Sequence, residues 1–129
     1  MSYRERYYLV ASPTEVGAPQ VPTALPPITV GSTKQIEWAE RIRSEYVTGA
    51  NFAIMWWMGY TCDGETSARR AMGDLMPEQE AALIAQSIAR FVADPGMDAG
   101  MWIDRYKKDP YREGKFAVGS LHRRYRGQE

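Results

Sequence analysis

Reactive and metal-binding side chains are scarce in this chain of 129 residues, and that scarcity excludes a good deal. Cys62 is the single cysteine and His122 the single histidine. One thiol forms no internal disulfide, and one thiol with one distant imidazole supplies no structural zinc site. The cysteine usage suits a reducing compartment. Net charge is also missing, since 16 basic and 16 acidic residues cancel. General attraction to nucleic acid or to an anionic membrane is therefore not expected of the whole molecule. Long apolar runs are absent: the most apolar stretch, Phe52 to Tyr60, is about half of the ~20 residues a bilayer span needs. Met1-Ser2-Tyr3-Arg4-Glu5-Arg6 leads into only a short apolar run and does not read as a secretory signal. The expectation is a soluble, cytoplasmic protein with no membrane association, no metal and no cofactor.

The catalytic inventory is equally thin. His122 sits in Leu121-His122-Arg123-Arg124-Tyr125-Arg126, among cations and with no adjacent carboxylate to orient it, which reads as a surface histidine. Cys62 precedes Asp63, so it lacks the electropositive setting that makes a thiol reactive. Gly31-Ser32-Thr33-Lys34 has the letters of a phosphate loop in the wrong order and lacks the upstream glycine. Asp63, Glu65 and Asp74 do not follow a calcium-loop spacing. No residue is assigned a catalytic role, and an enzyme is not expected.

What the chain does contain is a well-marked helix start. In Ser32-Thr33-Lys34-Gln35, the serine hydroxyl can accept from the Gln35 N–H while the Gln35 side chain reaches back to the Ser32 N–H, a capping box. Trp38 and Ile42, then Ala39 and Tyr46, recur at helical spacing, opposite Glu37, Arg41 and Ser44. This predicts a helix from Thr33 to about Thr48, ended by Gly49. Before it, Tyr7-Tyr8-Leu9-Val10 reads as a short strand. Pro13, Pro19, Pro22, Pro26 and Pro27 then forbid regular structure. Val16, Val21, Leu25, Ile28 and Val30 lie among those prolines, so this arm is expected to lie extended over an apolar surface, its own core or a partner's.

After Gly49 the signals weaken. Asn51 to Tyr60 fits neither period, and Ala53, Met55 and Met58 favour a helix capped by Asn51 over a buried strand. Thr61 to Ser67 reads as a turn and Ala68 to Leu75 as a short helix. Pro77 opens a helix with Ile84, Ile88 and Phe91 along one face, and Asp98 caps another through Tyr106. Tyr111 to Val118 reads as a loop or short strand, and Leu121 to Arg126 as one basic turn. The expected architecture is mainly α: a compact bundle of four to five helices with a short N-terminal strand and a proline-rich arm. Residues 1–30 form the strand and arm, and 31–129 a helical region with a basic tail, one domain overall.

Two stretches carry candidate binding chemistry. Four tryptophans and seven methionines exceed what one small core needs. Adjacent Trp56 and Trp57 cannot both face inward, so one of them is an interface candidate; Leu25 and Ile28 of the arm are the others. Charge is also segregated. Residues 32–98 hold six basic and ten acidic groups, whereas 99–129 hold eight basic and four acidic. The tail is thus expected either to fold onto its own acidic body or to meet phosphates. In the second case Arg112, Lys115, Arg123, Arg124 and Arg126 would contact nucleic acid while the interleaved Tyr111, Phe116 and Tyr125 stack on bases.

Gly31-Ser32-x-Lys34-Gln35-Ile36-x-Trp38-Ala39-x-x-Ile42-Arg43, followed by Asp98-Ala99-x-x-Trp102-Ile103-Asp104, resembles a pattern in small uncharacterised proteins of bacteria, phages and mobile elements. The matched positions cover about twenty residues, and the resemblance carries no activity and no catalytic residues. It implies a setting, in which small phage-type proteins without an enzyme motif inhibit host machinery by binding it, as anti-CRISPR proteins do. The expected function is accordingly a non-enzymatic inhibitor that occludes a host defence complex through Trp56, Trp57, Leu25 and Ile28. A dimer formed through the arm remains open, and the alternative is a nucleic-acid-binding accessory protein using residues 105–126.

Overall fold

A computed structural model describes residues 9–127, and among them the chain is helical throughout its regular structure. The order is α1 (Pro13–Val16), α2 (Thr33–Met58), α3 (Gly64–Ala71), α4 (Glu78–Val92), α5 (Ala99–Tyr106) and α6 (Pro110–Gly127). The helical bundle agrees with the sequence; the N-terminal strand does not. Tyr7 and Tyr8 lie outside the described residues. Leu9 makes only an isolated antiparallel bridge to Thr61, with the Val10 N–H donating to the Tyr60 carbonyl at 3.0 Å.

The capping box forms as expected. Ser32 Oγ accepts from the Gln35 N–H at 3.2 Å, and Gln35 Oε1 accepts from the Ser32 N–H at 3.0 Å. The helix it starts does not stop at Gly49. It runs 26 residues to Met58 and ends at Gly59, whose φ of 95° is left-handed. At 1.5 Å per residue α2 is about 39 Å long, enough to be the mast of the domain.

Gly49 is an approach point rather than a helix end. A Cβ built there would stand 2.0 Å from the Tyr111 carbonyl oxygen, and one on Gly114 would stand 2.0 Å from the Tyr46 carbonyl oxygen. The two glycines let the backbones of α2 and α6 touch. The same contact accounts for the helical state of residues 111–118, whose pattern reads as loop or short strand: Pro110–Gly127 is one continuous helix that meets α2 at Gly114. Its entropic cost relative to alanine is offset by packing. The short helix expected at 68–75 starts and stops earlier, at Gly64–Ala71, and takes in residues 64–67 that read as turn, because Asp63 Oδ1 accepts from the Thr66 N–H at 2.8 Å and caps it.

The core is one cluster running from Val21 to Val118. At its centre Trp102, 0% exposed, packs edge-on to Tyr46 with ring centroids 5.6 Å apart; Phe91 and Tyr106 complete the group. Burial raises the Tyr46 phenol well above its ordinary range, with smaller contributions from Tyr106 and Glu113. The predicted stripe of α4 is buried at Ala81, Ile84, Ala85, Ile88 and Val92, and Asp98 caps α5 through the Met101 N–H at 2.9 Å.

The prolines do not forbid every element: Pro13 opens the four-residue α1, because a proline is tolerated in a helix's first turn and Ser12 caps it through the Glu15 N–H at 3.2 Å. The rest of the arm is irregular and lies on this same body. Val21, 1% exposed, and Ile28 are buried in the core, and Leu25 packs against it half-buried. Asn51, expected to cap a helix, instead sits inside α2 and grips the arm. Its Oδ1 accepts from the Val21 N–H at 2.7 Å and its Nδ2 donates to the Val21 carbonyl at 3.0 Å. Arg43 donates to the Pro26 carbonyl at 2.8 Å, and the Ile28 N–H donates to Glu40 at 3.3 Å. These bonds give the proline-broken backbone the partners it cannot find in itself.

Candidate functional site: an aromatic and cationic groove beside α6

The C-terminal half of α2 and the middle of α6 enclose a groove of about 170 Å³. Phe52, Ala53, Trp56 and Trp57 come from α2; Lys115, Phe116, Gly119 and Arg123 come from α6. The glycine contact between the helices sits at the Gly49–Gly114 end, so the larger side chains beyond it are left to wall a cleft. Trp56 and Trp57 are both half-buried, and Phe116 is 53% exposed at the rim. No carboxylate, thiol, hydroxyl or imidazole lines the groove among the described residues.

The paired indoles are held from behind. Their rings meet edge to face, centroids 4.9 Å apart. On Trp56 lies the Arg69 guanidinium, 3.8 Å from the ring centroid and 4.9 Å from that of Trp57. Arg69 is only 8% exposed. Its Nη2 donates to the Trp56 carbonyl at 2.6 Å and to Thr66 Oγ1 at 3.3 Å, while Nε and Nη1 have no hydrogen-bond partner among the described residues. The ring faces take that place as cation–π contacts. Burial lowers the Arg69 pKa, and the nearby Glu65, Asp63 and Asp74 charges work against that shift.

Trp57 is backed by His122, with ring centroids 4.3 Å apart. Here the structure corrects the sequence reading. His122 is 6% exposed rather than a surface residue, and it has a carboxylate: Nδ1 is hydrogen-bonded to Glu80, itself 1% exposed. Arg126 closes the chain, with Nε 3.9 Å from Glu80 and Nη1 donating to Asp74 at 2.9 Å. The pair escaped the sequence because its members lie 42 residues apart. The only local hint was an acidic residue on an otherwise apolar stripe of α4.

The residues singled out in sequence are thus divided by the fold. Trp56 and Trp57 line the groove, whereas Leu25 and Ile28 belong to the arm and pack on the chain's own core. Of the tail cations, Lys115 and Arg123 line the groove, and Arg112 stands beside Phe116, 4.8 Å from its ring. Arg124 faces another shallow groove, with Leu83, Leu121 and Tyr125. Arg126 is occupied by Asp74 and Glu80. That last pairing brings the basic tail onto an acidic part of the body as expected.

Among the described residues, no three His, Cys, Asp or Glu side chains gather as a metal site, and no helix is long and apolar enough to cross a membrane. No protein-family model, no curated protein and no solved structure matches this chain.

Proposed function

We propose that this protein is a non-enzymatic binding protein whose contact surface is the groove between α2 and α6, and that it acts by occluding the protein it binds. The observation that carries this reading is the pair Trp56 and Trp57. They are half-exposed on a rigid helix and fixed from behind by Arg69 and His122. Aromatic anchors held in place before binding lose little entropy on association and dominate interface energies. Among the described residues, the groove lining holds no carboxylate, thiol, hydroxyl or imidazole for proton transfer or nucleophilic attack, and His122 is buried behind Trp57 rather than presented in the cleft. The resemblance to small phage and mobile-element proteins supports a host protein complex as the target, in the manner of anti-CRISPR inhibitors.

Phe116 gives the test, because its exposed ring contributes to the groove while the core does not depend on it. A bacterial lysate passed over immobilised protein should yield a specific band that Phe116→Ala weakens by about 1 kcal/mol, roughly fivefold, as expected of an aromatic at the rim of the contact. A band captured equally by both proteins would place the contact elsewhere. The nucleic-acid alternative keeps one supporting observation: Arg112, Lys115, Phe116 and Arg123 share one side of α6. It is separated by salt. Binding to phosphates falls steeply between 50 and 200 mM salt, as a rule by ~1,000-fold or more for six contacts, whereas an aromatic interface barely responds.

A further inference from the structure

Resting on the reading of the α2–α6 groove as a contact surface, we propose that its occupant is the proline-rich arm of a second copy of this chain, so that copies associate head to tail.

The arm is built to be presented. It is fastened at Val21 and Ile28, both buried, and between them it leaves Pro22, Pro26 and Pro27 exposed. Leu25 and Pro26 each precede a proline, which confines them to the extended region, and no turn or bend interrupts residues 25–29. A segment already extended and already clasped has little entropy left to lose on binding. Clefts walled by aromatic rings are the surfaces that recognise such segments. Phe52, Trp56, Trp57 and Phe116 wall a cleft of that kind, and it is open to solvent, so a stretch of chain can lie along it.

Charge complementarity points to a second copy as the source of the segment. Pro26, Pro27 and Pro95 line a small cavity together with Asp94 and Asp98, and neither carboxylate has an ion pair among the described residues. Arg43 reaches the same cavity, but it is 7% exposed and donates to the Pro26 and Val92 carbonyls. The outward charge beside these prolines is therefore acidic. At the groove the sign is opposite. Arg123 lines it, exposed and without an ion pair among the described residues, and Arg112 lies by the Phe116 ring. Lys115 is engaged elsewhere, with Tyr111 among its contacts, and is not counted here. An acidic proline face and an arginine-edged aromatic cleft are thus two complementary surfaces of one molecule.

They cannot meet within it. Arg43, which holds the Pro26 carbonyl, and Trp56 are thirteen residues apart on α2, a rise of roughly 20 Å. While clasped, the arm stays away from its own groove, so the two surfaces pair between copies. Because they differ, the contact is heterologous, and a pair of copies keeps one free arm and one free groove from which to grow.

Sedimentation of the full chain over a wide range of concentrations provides the test. The mass should rise progressively past that of a dimer. Phe116→Ala in the groove, and Pro26→Ala with Pro27→Ala on the arm, should each raise the dissociation constant about fivefold. All three side chains are exposed, so the bundle does not depend on them. Mixing the two variants should restore the wild-type affinity but only as one-to-one pairs, since the intact arm of one meets the intact groove of the other. On ¹⁵N-labelled protein, a peptide of residues 19–30 should shift the indole N–H resonances of Trp56 and Trp57 saturably, and the same peptide with Ala for its four prolines should not.

A chain that stays monomeric at every concentration, or an assembly that mixing fails to restore, would overturn the inference. If the peptide moves the indoles while the full chain stays monomeric, the groove takes a proline-rich segment of another protein and the second copy is refuted. Lysate capture that still depends on Phe116 would then keep the groove as a contact surface. Loss of that dependence as well would remove both readings.

Discussion

His122 and Glu80 share a hydrogen bond in the interior, the imidazole pressed against Trp57 on one side and the carboxylate approached by Arg126 on the other. Two polar residues thereby join α4 to α6 directly behind an aromatic wall of the groove. Removing either partner leaves the other buried without its bond. His122→Ala is expected to cost about 3 kcal/mol in urea unfolding, and Glu80→Ala a similar amount. The double variant should lose much less than the sum, because the pair acts as a unit. Additive losses would mean that the bond contributes nothing of its own.

Gly49 and Gly114 make a second prediction with a sign contrast. At either position a Cβ would stand 2.0 Å from a backbone oxygen of the other helix, so alanine forces α2 and α6 apart. Gly49→Ala or Gly114→Ala should destabilise by about 3 kcal/mol or more. Gly119 lies on the same helix with only the Arg123 guanidinium 3.6 Å from its Cβ position. There alanine should stabilise by up to ~1 kcal/mol through helix propensity. Thermal unfolding of the three variants decides it, and a uniform sign would refute the close-approach account.

Asp63 sets a pH dependence. Burial by itself would raise its pKa, but hydrogen bonds from the Thr61 hydroxyl and from the Thr66 N–H and hydroxyl, with Arg69 nearby, bring it below the ordinary carboxylate range. A depressed folded-state pKa contributes stability that is fully present above the unfolded value and disappears as pH falls through the folded value. Asp63→Ala should therefore cost about 1 kcal/mol at pH 7, a typical cap. That difference between variant and wild type should shrink as the pH is lowered below the unfolded-state pKa, near 4, through the folded value. A gap independent of pH from 7 to 2 would contradict the cap assignment.

Asn51 is the clasp of the arm, bonded to both the N–H and the carbonyl of Val21. Asn51→Ala should release that section before the bundle melts. Limited proteolysis should then cut within residues 18–31 several times faster than in wild type, with the helical circular dichroism unchanged at the same temperature. Equal cleavage rates would show that Arg43, Glu40 and apolar burial hold the arm without it.

Local chemistry was legible where a few neighbouring residues decide the outcome. The Ser32–Gln35 box, the apolar stripe of α4 and the Asp98 cap are set by contacts within four residues, and all three stand in the structure. That Trp56 and Trp57 could not both turn fully inward was also readable, since two adjacent side chains on a helix point about 100° apart, and both are half-buried. Gly49 was misread as a helix end, and the 111–118 stretch, where the apolar pattern fades, as loop or short strand. Glycine within a helix looks like a terminator until the helix it touches is known.

What the chain order alone determined is a mainly helical molecule whose single cysteine forms no internal disulfide and whose proline-rich arm holds little regular structure, because composition and short-range hydrogen bonding decide those properties. Which glycines are contacts, which tail cations are occupied, and that the lone histidine is an interior partner of Glu80 were decided only by tertiary packing. Each depends on residues tens of positions apart, whose meeting is fixed by backbone approach and burial rather than by any pattern along the chain.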